Sequence, residues 1–600
     1  MKKIFLIIPL VLGSLLVGCD DFLDVNTSKD AAITTSVDQV LPVACFYAAQ
    51  ICYDHAEYNV YLSQALTTAG KSQTGSYPYS QGWEFLGVNR HPMWRRHFYD
   101  LGANINKMQE IAEENGNRNA QLIGRTIMLA STMMTTDAFG DMPRSEAYQA
   151  TSPKYDSQQE IYDWMFQEAD ELVSLYANEE WTKCTTNLPI STKMDRIYSG
   201  DMDKWALYAK AIRCRLWLRK LPNWDNTPTT CQKIVAMVDD VLNDPNWEEP
   251  RYHYDGGKTE QNCPWGPYAP IINSWESRAN RLSSSIPTAF FAKAILGAYA
   301  NKQNTRGYAL DPRAEKMMDP RQENNQAGSE LIRYLESNIG MDNSMKTTYY
   351  PDLYATKNNT NPYTQNTGYI ALITEEELMF IKAEAQYWAG DKTGAYNTTC
   401  EAVVKNMARY GIVESALQGN NAKNQYRRFF NIKLPGASSF TIGDLMQQKY
   451  VAMYLQPEQW TDLRRYNYSS KTNGIQYDNT FVYTVYHVHN GKNTVFARDS
   501  TNFTDEYSLR RPYNLYEAYW CNAEDYGQNA ELSPNAWIAR LNADTETETK
   551  YNKGELDRIG YYTTNAQGEK ILDYNVLKRR MIWAYNTCGK AQCADATEWK

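Results

Sequence analysis

Three groups of aromatic residues have the types and spacing for ligand chemistry. Tyr77, Tyr79 and Trp83 lie in a loop rich in Gly, Pro and Ser; Trp265 and Tyr268 lie in Asn262-Cys-Pro-Trp-Gly-Pro-Tyr268, with Trp275 further on; Tyr349 and Tyr350 precede Pro351-Asp352, with Tyr354 beyond. Flat rings stack on the C–H face of a sugar, while amides and carboxylates bind its hydroxyls. The same rings also serve local packing, so each group has two readings. The chain carries 45 Tyr and 16 Trp against 16 Phe, an excess of rings with a polar tip that suits half-buried or ligand-facing surfaces. Trp205, Trp217, Trp388 and Trp460 fall at helical spacing and read as packing.

Catalytic signatures are missing. The chain has no Gly-x-Ser-x-Gly, His-Glu-x-x-His, Gly-x-Gly-x-x-Gly or Cys-x-x-Cys. With 6 His in 600 residues, metal and base chemistry have few candidates. His487 and His489 alternate along a strand and form either a two-ligand metal edge or two surface histidines beside a turn; no metal site and no cofactor is predicted. A glycosidase needs only two carboxylates about 5 to 9.5 Å apart, so hydrolysis is the enzymatic reading that the sequence leaves open.

The N-terminus sets where such a surface works. Lys2-Lys3, an apolar run from Ile4 to Val17, and Leu16-Val17-Gly18-Cys19 read as a signal peptide ending in a lipobox, because the run is too short to span about 30 Å of hydrocarbon. Cys19 would then carry acyl chains such as palmitate and hold the body at a membrane. Cleavage takes the net charge from -9 to -11, a sign that repels nucleic acid. The expected organisation is a signal peptide over 1–18, a lipidated tether over 19–36 and one body over 37–600. Of the other ten cysteines, Cys45 and Cys52 are roughly 10 Å apart on a helix and cannot bridge; Cys588 and Cys593 are the pair to test.

The body reads as mostly α. Ser36 caps an apolar-periodic helix, with Pro42 as an alternative start. Further helices are expected at 94–112, 120–136, 158–176, 204–219, 231–242, 374–388, 392–410 and 442–455. Gly390-Asp391 ends one helix and caps the next, as in a tetratricopeptide-type hairpin, although no sustained repeat of about 34 residues is present. Residues 250–369 and 466–562 are loop-rich, the second with a hairpin over 481–496 turning at Asn490-Gly491. Arg95-Arg96 and Arg464-Arg465 read as ion-paired structural residues in an acidic chain.

Asp21-Phe-Leu-Asp-Val-Asn26 after Cys19 resembles the opening of the SusD/RagB family of outer-membrane lipoproteins. Phe139–Ala147, Ile197–Trp205 with the Arg-rich helix to Arg219, Glu375–Ala385, and Gln447–Leu455 through Trp460-Thr-Asp-Leu-Arg-Arg465 are similar to its larger SusD-like subgroup. The resemblance implies tetratricopeptide-like hairpins as scaffold, long loops around a shallow ligand site and a few short β-hairpins. It further implies a cell-surface, outer-membrane protein without catalytic activity, which captures oligosaccharides and passes them to a SusC-type TonB-dependent transporter. Peptide capture is the alternative ligand reading, and a surface glycosidase the enzymatic one. Residues 466–600 match no segment of the family pattern.

Overall fold

The computed structural model describes residues 36–68, 83, 90–269, 282, 285–288, 290–299, 308–319, 321–324, 330–333, 352–354, 361–469, 477, 480, 482–483, 509 and 537–584. They form a mostly helical body. Its main helices are α1 (Val37–Leu62), α2 (Ala103–Glu114), α3 (Arg118–Phe139), α4 (Gln158–Tyr176), α5 (Met202–Leu218), α6 (Pro228–Leu242), α7 (Glu375–Trp388), α8 (Lys392–Arg409), α9 (Asn420–Lys433), α10 (Ile442–Ala452), α11 (Glu458–Arg465) and α12 (Thr545–Tyr551). Neighbours pack in succession, α2 on α3, α4 on α5, α6 on α7 and α7 on α8.

Local chemistry explains most boundaries. At α1 the Ser36 backbone N–H donates to Gln39 Oε1 at 2.9 Å, closing a capping box, so the helix starts at Val37 and carries Pro42 inside it. At the α7–α8 turn Gly390 adopts φ +88°, and Asp391 Oδ1 accepts from the Gly394 N–H at 2.8 Å. The single helix expected over 94–112 is instead divided: a short turn at Pro92–Arg95, a π-helix at Arg96–Gly102, then α2. Periodicity sees helix there but not the wider turn.

Sheets are two-stranded and small. Arg251–His253 pairs antiparallel with Tyr369–Ala371, and Leu66–Thr68 with Ser285–Pro287. The stretch 466–562, expected as loop, contains α12 and a further turn of helix at Lys553–Arg558. Most of the expected hairpin over 481–496 lies outside the described residues, as do His487, His489, Cys588 and Cys593.

The packing tryptophans behave as expected. Trp205 and Trp460 are buried, and Trp217 and Trp388 pack against the core from its edge. Cys45 and Cys52 are both free thiols.

Ion pairs run through this core. Asp137, at the end of α3, accepts from Arg219 Nη2 at 2.9 Å, from Trp583 Nε1 at 2.9 Å and from the Tyr162 hydroxyl. Arg219 also reaches Glu458 at 2.8 Å, and Arg215 grips Glu377 at 2.6 and 2.8 Å. Arg465 pairs with Asp462 at 2.6 Å and with Glu384, while Lys449 meets Asp462 at 3.0 Å. Arg96 pairs with Asp54 and Asp100. Arg464 departs from the expected ion pair: its guanidinium lies 3.5 Å from the Trp460 ring centroid and donates to the carbonyls of Asp137 and Ala539. Burial, with no carboxylate bonded to it, pushes its pKa down to about 10.

The C-terminal segment belongs to the same core. Leu541 N–H donates to the Ala138 carbonyl at 2.8 Å, and the Trp583 carbonyl accepts from Asn223 Nδ2 at 3.2 Å. Trp583→Ala should therefore lower stability by about 3 to 5 kcal/mol, read from the urea unfolding midpoint. An unchanged midpoint would mean that this segment is only draped on the body.

Buried histidines make a second prediction. His55 and His97 are held neutral by burial, with pKa values pushed down to about 3. In the unfolded chain they titrate near 6.5, so their contribution is complete above that pH and is lost as pH falls toward 3. Stability should drop by about 2 kcal/mol per histidine between pH 7 and pH 5. His55→Gln should flatten that part of the profile in urea titrations at each pH.

Candidate functional site

The aromatic loop of residues 262–268 is fixed by a partner loop about a hundred residues away in the chain. Cys263 N–H donates to the Asn366 carbonyl at 2.8 Å, and Tyr254 N–H to the Gly368 carbonyl at 3.1 Å. The Asn366 side chain accepts from Tyr268 N–H at 3.2 Å, while Asn262 Nδ2 donates to the Tyr268 carbonyl at 2.8 Å. Both backbone polar groups of Tyr268 are thus held by side chains. The residue itself is 69% exposed.

Underneath lies an apolar footing. Trp265 is buried, its ring 4.7 Å from that of Tyr53 on α1 in an edge-to-face arrangement. Tyr252 and Tyr254 meet at 5.1 Å, and Tyr252 meets Phe46 at 6.0 Å. Cys263 is buried, and burial pushes its thiol up to about 12, which leaves it unreactive. Gly266 permits the close approach: a Cβ there would lie 2.7 Å from Asn366 Oδ1 and 3.0 Å from Asn366 Cα.

The strand pair Arg251–His253 with Tyr369–Ala371 ties this platform to α8. Arg409 pairs with Glu249 and Glu376 and donates to the Tyr369 hydroxyl at 2.7 Å. Burial alone would raise the Glu249 carboxyl, but Arg409 and Arg251 outweigh it and hold it below the usual carboxylate range. Asn262 Oδ1 and the hydroxyls of Tyr254 and Tyr363 are buried without a hydrogen-bond partner. Polar atoms and an exposed ring therefore sit on one braced loop system. The exposed ring is Tyr268, while the unpartnered amide and phenol oxygens lie buried within the loop system. Among the described residues no group of three or more His, Cys, Asp or Glu side chains is placed to hold a metal.

The other expected site residues separate. Trp83 is 2% exposed with φ +59°, its ring 5.8 Å from that of Trp537, which stacks in turn on Tyr468 at 4.4 Å. Tyr354 is buried as well. Tyr77, Tyr79, Trp275, Tyr349, Tyr350 and Cys19 lie outside the described residues. Of the eight expected ligand residues, the described structure brings Trp265 and Tyr268 into one loop, with only Tyr268 open to solvent. Asn366 escaped sequence reading because its partner Tyr268 is 98 residues away.

The family described as starch-binding and associating with the outer membrane matches residues 32–484. The chain belongs to the SusD-like family. No curated protein matches it. Among solved structures, a SusD homologue from Parabacteroides distasonis shares the fold at a TM-score of 0.59 and 16% identity, covering 93% of this chain and 100% of its own. A chitin-binding protein aligns at 0.56 and 16%, over 91% of this chain and 100% of its own. A SusD homologue from Bacteroides uniformis aligns at 0.55 and 15%, over 91% and 99%. At such identities the shared property is the SusD-like fold.

Gly266→Ala tests the bracing. The added methyl forces Asn366 aside, so we expect a loss of about 1 to 3 kcal/mol in urea unfolding and faster amide exchange at Tyr268. Unchanged exchange at Tyr268 would show that Asn366 does not fix the loop.

Proposed function

We propose that this SusD-like chain is a cell-surface lipoprotein, anchored through Cys19, which binds oligosaccharides and passes them to a SusC-type TonB-dependent transporter in the outer membrane. It works by reversible binding and carries out no bond chemistry. The observation that carries the reading is Tyr268, a 69% exposed ring whose backbone is fixed on both sides, in a family described as starch-binding and associating with the outer membrane. The chitin-binding protein among the structural neighbours supports a glycan over a peptide. A lipid anchor agrees with the absence, among the described residues, of any helix long and apolar enough to cross a membrane.

Tyr77, Tyr79, Trp275, Tyr349 and Tyr350 complete the proposed ligand face, with Trp265 beneath as the footing of Tyr268; Trp83, buried against Trp537, is a packing residue. The purified chain should bind members of a panel of host, plant and bacterial polysaccharides in calorimetry and release no reducing sugar. Tyr268→Ala should weaken that binding about tenfold, the equivalent of 1.4 kcal/mol, with unfolding unchanged. Binding to a peptide mixture and to no glycan would replace the proposed ligand.

A further inference from the structure

A second set of exposed rings sits elsewhere on the body. Tyr99, Tyr148 and Tyr551 are 51%, 42% and 65% exposed. Single exposed rings are ordinary; these three come from segments that the fold draws together. The Tyr148 hydroxyl donates to the His97 carbonyl at 3.3 Å, two residues before Tyr99. Ser152 Oγ donates to the Tyr551 carbonyl at 2.9 Å across 399 residues of sequence, and Asn552 Nδ2 to the Pro153 carbonyl at 2.8 Å. The phenol of Tyr99 lies within electrostatic reach of those of Tyr148 and Tyr551.

The backbone here is specialised. Tyr99 is carried by the π-helix Arg96–Gly102, a form often found at functional sites. The absence of a side chain at Gly102 admits Tyr148: a Cβ at Gly102 would lie 1.7 Å from the Tyr148 hydroxyl and 2.4 Å from the His97 carbonyl oxygen. Tyr148 holds φ +66°, a left-handed backbone that is strained for a bulky residue. A π turn, a required glycine and a strained tyrosine all serve to keep one ring at the surface, with its hydroxyl engaged below. Polar groups rim the patch. Arg95 and Arg90 are about half exposed, and Arg90 pairs with Glu546 on α12.

We propose that Tyr99, Tyr148 and Tyr551 form a second glycan-binding platform, separate from the Tyr268 loop, which engages sugar rings further along the same polymer. Among the described residues the large exposed side chains in it are Tyr rather than Phe or Leu, and its border is hydrogen-bonding. That combination suits a hydrated ligand with alternating C–H faces and hydroxyls better than an apolar protein surface. Two modest sites on one polymer give an avidity that neither supplies alone. The inference rests on the reading of the chain as a glycan binder.

The test compares full-length protein with Tyr99→Ala/Tyr551→Ala and with Tyr268→Ala. Each is run in affinity electrophoresis through gels of the panel polysaccharides, including starch and soluble chitin derivatives, and in calorimetry with oligosaccharides of the retained type. The double variant spares Tyr148 and its bond to the π-helix, and an unchanged melting temperature shows that it folds. We expect the double variant to lose about tenfold in retention by polymer while binding short oligosaccharides within about twofold of the parent. If the parent binds glycan, Tyr268→Ala weakens it and the double variant matches the parent on polymer, the second platform is overturned and the glycan reading stands. If the parent binds no glycan, both fall. Loss of peptide binding rather than polymer retention in the double variant would also overturn the platform.

Discussion

The fold depends on charge that has been taken out of water in balanced numbers. Arg215, Arg219, Arg465 and Lys449 pair with Asp137, Glu377, Glu384, Glu458 and Asp462, and Arg464 lies beside them on the Asp137 and Ala539 carbonyls, all with side chains almost completely buried. A single ion in such a place costs several kcal/mol, and only close partners with further hydrogen bonds offset that. The partners come from α3, α5, α7, α10 and α11, with Trp583 from the far end of the chain. No one helix can desolvate its charge until the others have arrived. Apolar packing brings these helices together, while the ion pairs set which helix faces which. Glu458 shows the balance: burial alone would raise its carboxyl, and Arg219 and Arg215 overcome that and hold it at about 2.

The segment beyond the family match, 537–584, contributes to this core rather than to an outlying loop. It supplies Trp583 to Asp137, the Ala539 carbonyl to Arg464, and Trp537 to the stack against Tyr468. Glu548 accepts from the Tyr155 hydroxyl at 2.6 Å, and the Asp544 carboxylate accepts from His91 N–H at 3.1 Å. The scaffold is thus closed by residues that arrive last in sequence. The 262–268 loop is held to that scaffold through Asn366 and through Trp265 against Tyr53 on α1.

Periodicity and capping made the helices legible: α4 runs from Gln158 to Tyr176, as its Ser157-x-x-Glu160 box and apolar spacing require. The π-helix was not legible, because a one-residue change of turn leaves the apolar pattern almost intact. Arg464 looked like half of an ion pair because two adjacent arginines look alike in sequence; rotation along α11 gives one to carboxylates and the other to an indole face. The aromatic loops divided by depth. Trp265 and Tyr268 are three residues apart and identical in local composition, yet one is the footing and the other the exposed ring. Only Tyr53 and Asn366, remote in sequence, decide between them. Tyr99, Tyr148 and Tyr551 gave no signal, since each stands in a separate segment and the patch exists only once those segments meet.

Binding on an exposed surface is governed by what must be ordered at the moment of contact. A mobile loop loses backbone entropy of about 1 to 2 kcal/mol per residue when a ligand fixes it, which can consume all that one stacked ring contributes. In the proposed glycan site Tyr268 avoids most of that cost. Its N–H and carbonyl are already bonded to Asn366 and Asn262, and its loop rests on Trp265 and Tyr53, so contact needs to freeze little more than the side chain. In the proposed second platform Tyr148 is held by a different route, with its hydroxyl bonded to the π-helix and its backbone at positive φ. In both places the strain or close approach is borne by the scaffold in advance. That is why a body so heavily invested in buried ion pairs can present shallow, solvent-facing rings and still offer them in a defined geometry.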